Sequence, residues 1–223
     1  MRADWFVPAL AAHVPRLASA YGIERRLASR DRVALTFDDG PHTEGTPAVL
    51  GELERRGASA TFFLVGEQVV QRPALAREIV DAGHEVAVHG YRHSLLLRRR
   101  VRELAEDLDR AVAAIADATG TVPALYRPPY GVFSSGALAH VRGRGWRPLL
   151  WSTWGRDWER RATAQSIARR ATSGLRPGDV VLLHDSDAYS SEGSWSRTAA
   201  ALPFVLEAVA ALGARASAVN HST

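Results

Sequence analysis

From Val33 to the C-terminus, short apolar runs rich in β-branched residues alternate with longer stretches in which apolar positions recur every three or four residues. Runs of the first kind read as buried strands, and the longer period reads as amphipathic helix. The strands predicted are Val33–Phe37, Ala60–Val65, Glu85–His89, Ala124–Arg127, Pro148–Ser152, Val180–His184 and Ala214–Val219. The helices predicted are Pro47–Arg56, Pro73–Ala82, Val101–Thr119, Ala162–Thr172 and Ala200–Leu212. Gly57, Gly83, Gly120, Gly174 and Gly213 stand just past the helix ends, where a left-handed residue closes a helix. The spacers are long enough for crossover helices, so consecutive strands run parallel. About seven such repeats favour closure over an open sheet, and the class is α/β, a distorted (β/α) barrel of about seven parallel strands. It forms a single domain over residues 31–223, with residues 1–30 read as an N-terminal helical extension laid against the barrel.

Composition narrows the chemistry more than the fold. The 223 residues are 46% hydrophobic and 23% charged, a globular balance, and no linker, repeat or low-complexity segment divides them. Cysteine is absent, which excludes a disulfide framework, thiolate zinc sites, iron–sulfur clusters and a cysteine nucleophile; any metal must be held by His, Asp or Glu. All 28 basic residues are arginine, yet the net charge of +4 is too small and too spread to imply nucleic acid. The densest cluster, Arg98-Arg99-Arg100 with Arg102, leads into a helix and reads as a solvated face. No apolar run approaches the ~18 residues of a membrane span, and Phe6 to Val14 is interrupted by Pro8 and His13. Asp4 offsets Arg2 and no apolar core precedes a cleavage site, so no secretory signal is expected. The expected location is the cytoplasm or the periphery of a membrane, and the expected state a monomer.

Barrel chemistry gathers at the carboxyl ends of strands, and five polar clusters fall there. In Thr36-Phe37-Asp38-Asp39-Gly40-Pro41 the two acids are either part of a strand-ending turn or a repelling pair resolved by a cation. His89 and His93 are four apart and converge if the chain turns helical after its strand; with an aspartate from another strand end they make a common catalytic metal set. His84 enters a strand and reads as structural, and His42 lies near the first cluster without a second argument. In Arg127-Pro128-Pro129-Tyr130-Gly131 the prolines fix the backbone, either to hold Arg127 on a carboxylate and aim an N–H, or simply as a rigid turn. Trp151 to Trp158 form the fourth cluster, with Trp151 and Trp146 read as core. The fifth ends in His184-Asp185, where His184 is either a satisfied strand-end histidine or a catalytic acid.

Together the five clusters resemble the motifs of the polysaccharide deacetylase family, carbohydrate esterase family four, also called the nodulation-type chitooligosaccharide deacetylase homology domain. Its motifs TFDDG, H(S/T)xxH, RxPY, DxxDW and LxLH correspond to Thr36–Gly40, His89–His93, Arg127–Tyr130, Trp154–Trp158 and Val181–His184. The resemblance implies a distorted (β/α) barrel that hydrolyses an N-acetyl group from an amino sugar. It also implies that Asp39, His89 and His93 bind a divalent metal, usually zinc, and that Asp38 is the general base, oriented by Arg127. Tyr130 would then supply a backbone N–H to the oxyanion, Asp157 would position His184, and His184 would protonate the departing amine. Leu182 and Trp158 would line the acetyl pocket. Gly90, Trp154 and Val181 depart from the motifs: a loop hydroxyl, an aspartate and a leucine are missing there.

An amide is a poor electrophile with a poor leaving group, so its hydrolysis calls for both a Lewis acid and a proton donor. The expected function is therefore metal-dependent removal of an N-acetyl group from an amino-sugar substrate. The alternatives are an amidohydrolase on a non-sugar amide or imide, and a carbohydrate-binding pseudoenzyme. Residues Ser186 to Trp195, just beyond His184, are the expected rim.

Overall fold

The computed structural model describes residues 10–95, 97 and 100–220. Pro8, Arg98 and Arg99 lie outside the described residues, as does the first part of the N-terminal extension. In chain order the elements are α1 (Pro15–Ala20), β1 (Arg32–Asp38), α2 (Gly45–Arg55), β2 (Thr61–Leu64), α3 (Gly66–Gln71), α4 (Pro73–Asp81), β3 (Glu85–Val88), α5 (Val101–Thr119), β4 (Leu125–Tyr126), α6 (Ser135–Gly143), β5 (Arg147–Pro148), β6 (Thr153–Trp154), α7 (Ala164–Thr172), β7 (Val180–His184), α8 (Ser194–Ala211) and β8 (Arg215–Ser217).

β1 is buried from Val33 to Asp38, as an unbroken apolar run requires in a parallel strand covered on both faces. The sheet runs β5-β4-β3-β2-β1-β7-β6, with every neighbouring pair parallel. Register sets Asp38 beside Phe63 on one flank and beside His184 on the other. Ala34 pairs with both Val180 and Ser217, so β8 lies on the β2 side of the lower half of β1. Leu35, Phe37, Phe62, Phe63 and Leu64 are wholly buried, with the Phe37 and Phe62 rings stacked 5.1 Å apart. The five glycines read as helix closers all have left-handed φ, from +59° at Gly57 to +82° at Gly83.

The sheet's two ends, β5 and β6, are joined by residues 149–152 alone, so one short segment crosses the seam of the curled sheet. The predicted strand Pro148–Ser152 is therefore the last residue of β5 and the crossing that leads to β6. Its apolar run reflects burial: Leu149 and Leu150 are fully enclosed and Trp151 is nearly so. The N-terminal extension also differs from the predicted helix. Among the described residues of the extension, the α-helix is confined to Pro15–Ala20; Gly22, at φ +55°, turns the chain into an extended stretch. Glu24 then bridges Leu149, Arg26 bridges Asp179, and Arg25 Nε donates to Trp151 O, which staples the seam from outside. Two helices, α3 and α6, were not anticipated, and α8 begins at Ser194, six residues before the predicted start, with Pro203 inside it.

Candidate active site

β1 delivers Asp38 and Asp39 to the top of the sheet, where Asp39 takes a left-handed φ of 81° ahead of a cis Gly40–Pro41 bond. That conformation is costly for most side chains. Asp38 Oδ1 accepts a 2.6 Å hydrogen bond from Arg127 Nη1, which also donates to Thr36 Oγ1 at 2.9 Å. Arg127 is completely buried and sits behind the site. Its Nη2 donates to Leu150 O and its Nε to Leu149 O, so one guanidinium holds both Asp38 and the seam crossing. The ring of Phe63 lies 4.0 Å below it.

His89 follows β3, and its Nδ1 lies 2.9 Å from Arg127 O. A carbonyl only accepts, so Nδ1 carries the proton and Nε2 is the nitrogen that faces Asp39 Oδ1, at 3.4 Å. His93 Nε2 lies 3.3 Å from the same oxygen. The three donor atoms fall within 4.8 Å of one another, and Asp39 Oδ1 is buried with no hydrogen-bond partner. Burial opposes charge on Asp39, but His89, His184 and His93 together hold its carboxyl down at about 2. Burial pulls His93 down to about 4, against the attraction of Asp39, so its imidazole is neutral at neutral pH. Lone pairs aimed at one buried point fit a cation, and the 3.3–3.4 Å separations of Asp39 Oδ1 from each imidazole suit a tetrahedral ion bound at ~2.0–2.1 Å. The glycine at position 90 suits this loop, because its φ of 95° is a conformation that side chains rarely adopt.

β7 ends at His184. Its Nδ1 is 2.9 Å from Asp157 Oδ1, while Asp157 Oδ2 accepts from the His184 N–H at 2.7 Å and from Thr198 Oγ1 at 2.8 Å. Burial alone would lower the His184 value, but the charge and hydrogen bond of Asp157, then Asp39 and Asp38, raise it to about 10. His184 is thus a cation at neutral pH, and Asp157→Asn should let its proton go at lower pH. The measurement is the pH profile of stability in the chain without metal: the contribution of the wild-type pair is full below about 6.5 and fades as pH rises towards 10. Asp157→Asn should move that fade downward, and an unmoved profile would show that Asp157 does not hold the proton.

These groups surround a cleft of about 340 Å³. Asp38, Asp39, His89, His93 and His184 line it, with Tyr130, Trp158 and Leu182 on its walls; Arg127 and Asp157 are buried behind. Tyr130 is 59% exposed with a left-handed φ of 61°, and its N–H takes no part in the two bonds of its turn, Gly131 N–H to Pro128 O and Val132 N–H to Pro129 O. Trp158 stands edge to face with His184 at 5.3 Å. Trp154 makes the cleft wall aromatic beside Trp158, stacked on Trp151 at 5.5 Å, and Trp151 itself reaches the cleft from the core. His84 is at the far end of β3, accepting from Ala60 N–H, and His42 ties loops together through Gly45 N–H and Asp187.

Sequence reasoning missed two contributors, His13 and Asp185. His13 enters the cleft from the N-terminal extension, edge-on to Trp154, and carries no motif. Tyr189 and Ser190 do lie in the stretch read as rim. Asp185 is buried, accepts from Thr46 Oγ1, and is pushed up to about 7, chiefly by burial. A Cβ at Gly40 would fall 2.4 Å from its Oδ2, so the pairing of Gly40 with an acid after His184 was the one signal available.

Fold and site define a parallel α/β barrel protein with a hydrolase-like cleft at the carboxyl ends of its strands. The chain belongs to the polysaccharide deacetylase family, whose model matches residues 26–148. It is 35% identical over 154 residues to the peptidoglycan-N-acetylglucosamine deacetylase PgdA of Listeria monocytogenes, covering 69% of this chain and 32% of that protein. The chain thus spans about a third of that relative's length. A chitooligosaccharide deacetylase of Azorhizobium caulinodans is 32% identical, with 83% of this chain and 91% of the relative covered. Among solved structures, a family 4 carbohydrate esterase from Streptomyces lividans in complex with acetate superposes with a TM-score of 0.75 at 33% identity, covering 85% and 93% of the two chains. A family 4 pseudoenzyme from Bacillus anthracis superposes at 0.78 with 25% identity, covering 87% and 66%.

Proposed function

We propose that this chain is a metal-dependent hydrolase that removes an N-acetyl group from an amino-sugar substrate. The observation that carries the reading is one cleft in which Asp38 and His184, register neighbours on β1 and β7, flank the Asp39–His89–His93 donor cluster. A divalent ion held by those three residues, zinc by the character of the donors, would supply Lewis acidity to the acetyl carbonyl and to water. Asp38, aimed by Arg127, takes the proton from the attacking water. The Tyr130 N–H, at the cleft wall and outside the hydrogen bonds of its turn, would donate to the developing oxyanion. His184, held protonated by Asp157, gives its proton to the sugar nitrogen as the C–N bond breaks, leaving acetate and a free amine. Trp158 and Leu182, on the walls of the cleft, would enclose the acetyl methyl.

The test is acetate release from chitooligosaccharides, peptidoglycan fragments and N-acetylated glycoconjugates, with and without chelator. Turnover should vanish in chelator and return with zinc. The likeness to a pseudoenzyme favours a second reading, carbohydrate binding without turnover. Saturable sugar binding with no acetate released under any metal would establish it and overturn the first. Hydrolysis confined to non-sugar amides or imides would equally overturn the sugar assignment.

A further inference from the structure

The two histidines facing Asp39 are aimed by different means. His89 has its Nδ1 hydrogen on Arg127 O. His93 Nδ1 is buried and has no hydrogen-bond partner among the described residues, although its Nε2 is as close to Asp39 Oδ1 as that of His89. A ligating histidine is ordinarily oriented by a hydrogen bond from its second nitrogen. Something else must set the His93 ring.

Tyr189 lies flat on it, with centroids 4.2 Å apart and planes 11° from parallel, while Tyr130 meets it edge-on at 4.7 Å. Tyr189 is pinned at its far end: its hydroxyl donates to Glu67 Oε1 at 2.8 Å and accepts from Gln68 Nε2 at 3.1 Å. Both partners belong to α3, and that helix is docked on the His93 loop by Gly66 N–H to Gly90 O and Glu67 N–H to Tyr91 O. The loop that follows His184 is thereby tied, through Tyr189, to α3 and the His93 loop. Tyr130 is 59% exposed, so the tight, anchored face is the one Tyr189 supplies.

We propose that Tyr189 is the positioning residue for His93, its stacked and pinned ring taking the place of the missing hydrogen bond. This rests on His93 being a metal ligand, as argued above. The stack confines the plane of the imidazole and so the direction of the Nε2 lone pair. The hydroxyl contacts keep the tyrosine from rotating out into the cleft.

The test measures zinc affinity by chelator competition on the full chain, with the melting temperature of the metal-free protein taken alongside. Tyr189→Ala should bind zinc about 10–100-fold more weakly, the usual effect of losing a group that orients a ligand. Its metal-free melting temperature should match wild type. Tyr189→Phe keeps the stack without the pin and should fall between the two, and Glu67→Ala, which loosens the pin alone, should resemble it. Tyr189→Ala binding zinc as tightly as wild type would overturn the proposal, and so would Tyr189→Phe binding as weakly as Tyr189→Ala. Failure of the wild-type chain to bind zinc at all is the separate outcome that would remove the metal reading, and this inference with it.

Discussion

Asp38→Asn should keep its metal and lose roughly 10²–10⁴ in kcat on a confirmed substrate, whereas Asp39→Ala should lose metal and activity together. The two residues are adjacent in the chain, yet the structure sends them to different partners. Asp38 is held by Arg127 and leaves 3.8 Å between its Oδ2 and His89 Nε2. Asp39 meets both histidines at 3.3–3.4 Å and has no donor on the oxygen concerned. An amide at position 38 preserves shape and can still face Arg127 through its oxygen, so the donor cluster stays intact while the base is gone. Alkaline pH should restore part of the Asp38→Asn rate, because hydroxide needs no base. Zinc content by elemental analysis and kcat together decide the matter. If Asp38→Asn turns over like wild type, or sheds its metal as Asp39→Ala does, the division of roles between the two is wrong.

Arg127→Met should cost the fold about 3–5 kcal/mol, the usual range when one member of a buried ion pair is removed. For a chain of this size that is a drop of roughly 6–20 °C in melting temperature. The loss should fall at the upper end of that range because four acceptors are stranded: Asp38 Oδ1, Thr36 Oγ1, Leu149 O and Leu150 O. The last two belong to the seam crossing, so closure of the curled sheet and the pose of Asp38 fail in one step. Arg127→Lys should rescue little, since a single ammonium cannot span four acceptors in a planar fork. The double variant Asp38→Leu/Arg127→Met should regain part of the stability and none of the activity, because no buried charge is left unpaired. Thermal unfolding that matches wild type for Arg127→Met would refute the account.

How far the sequence could be read depended on how local the signal was. β1, β2, β3 and β7 are legible as apolar runs because each is covered on both faces and must be apolar throughout. The chemistry-bearing residues are legible because they sit at strand ends, and parallel strands from one barrel deliver their ends to one rim. The seam was not legible. Leu149 and Leu150 are as apolar as strand residues, and hydrophobicity reports burial without saying whether the backbone pairs with a neighbour. The N-terminal extension was misread for a related reason: its hydrogen bonds go to Pro148, Leu150 and Gly178, all distant in sequence.

By itself, then, the sequence determined the parallel α/β class, the strands that meet at the cleft, and the acids and imidazoles brought there, since each follows from a run or spacing a few residues long. The tertiary structure alone decided how Arg127 joins Asp38 to the seam, that His13 reaches the cleft, and that Tyr189 stacks on His93. Those depend on groups more than twenty residues apart arriving at one point, and no local period or propensity encodes such a meeting.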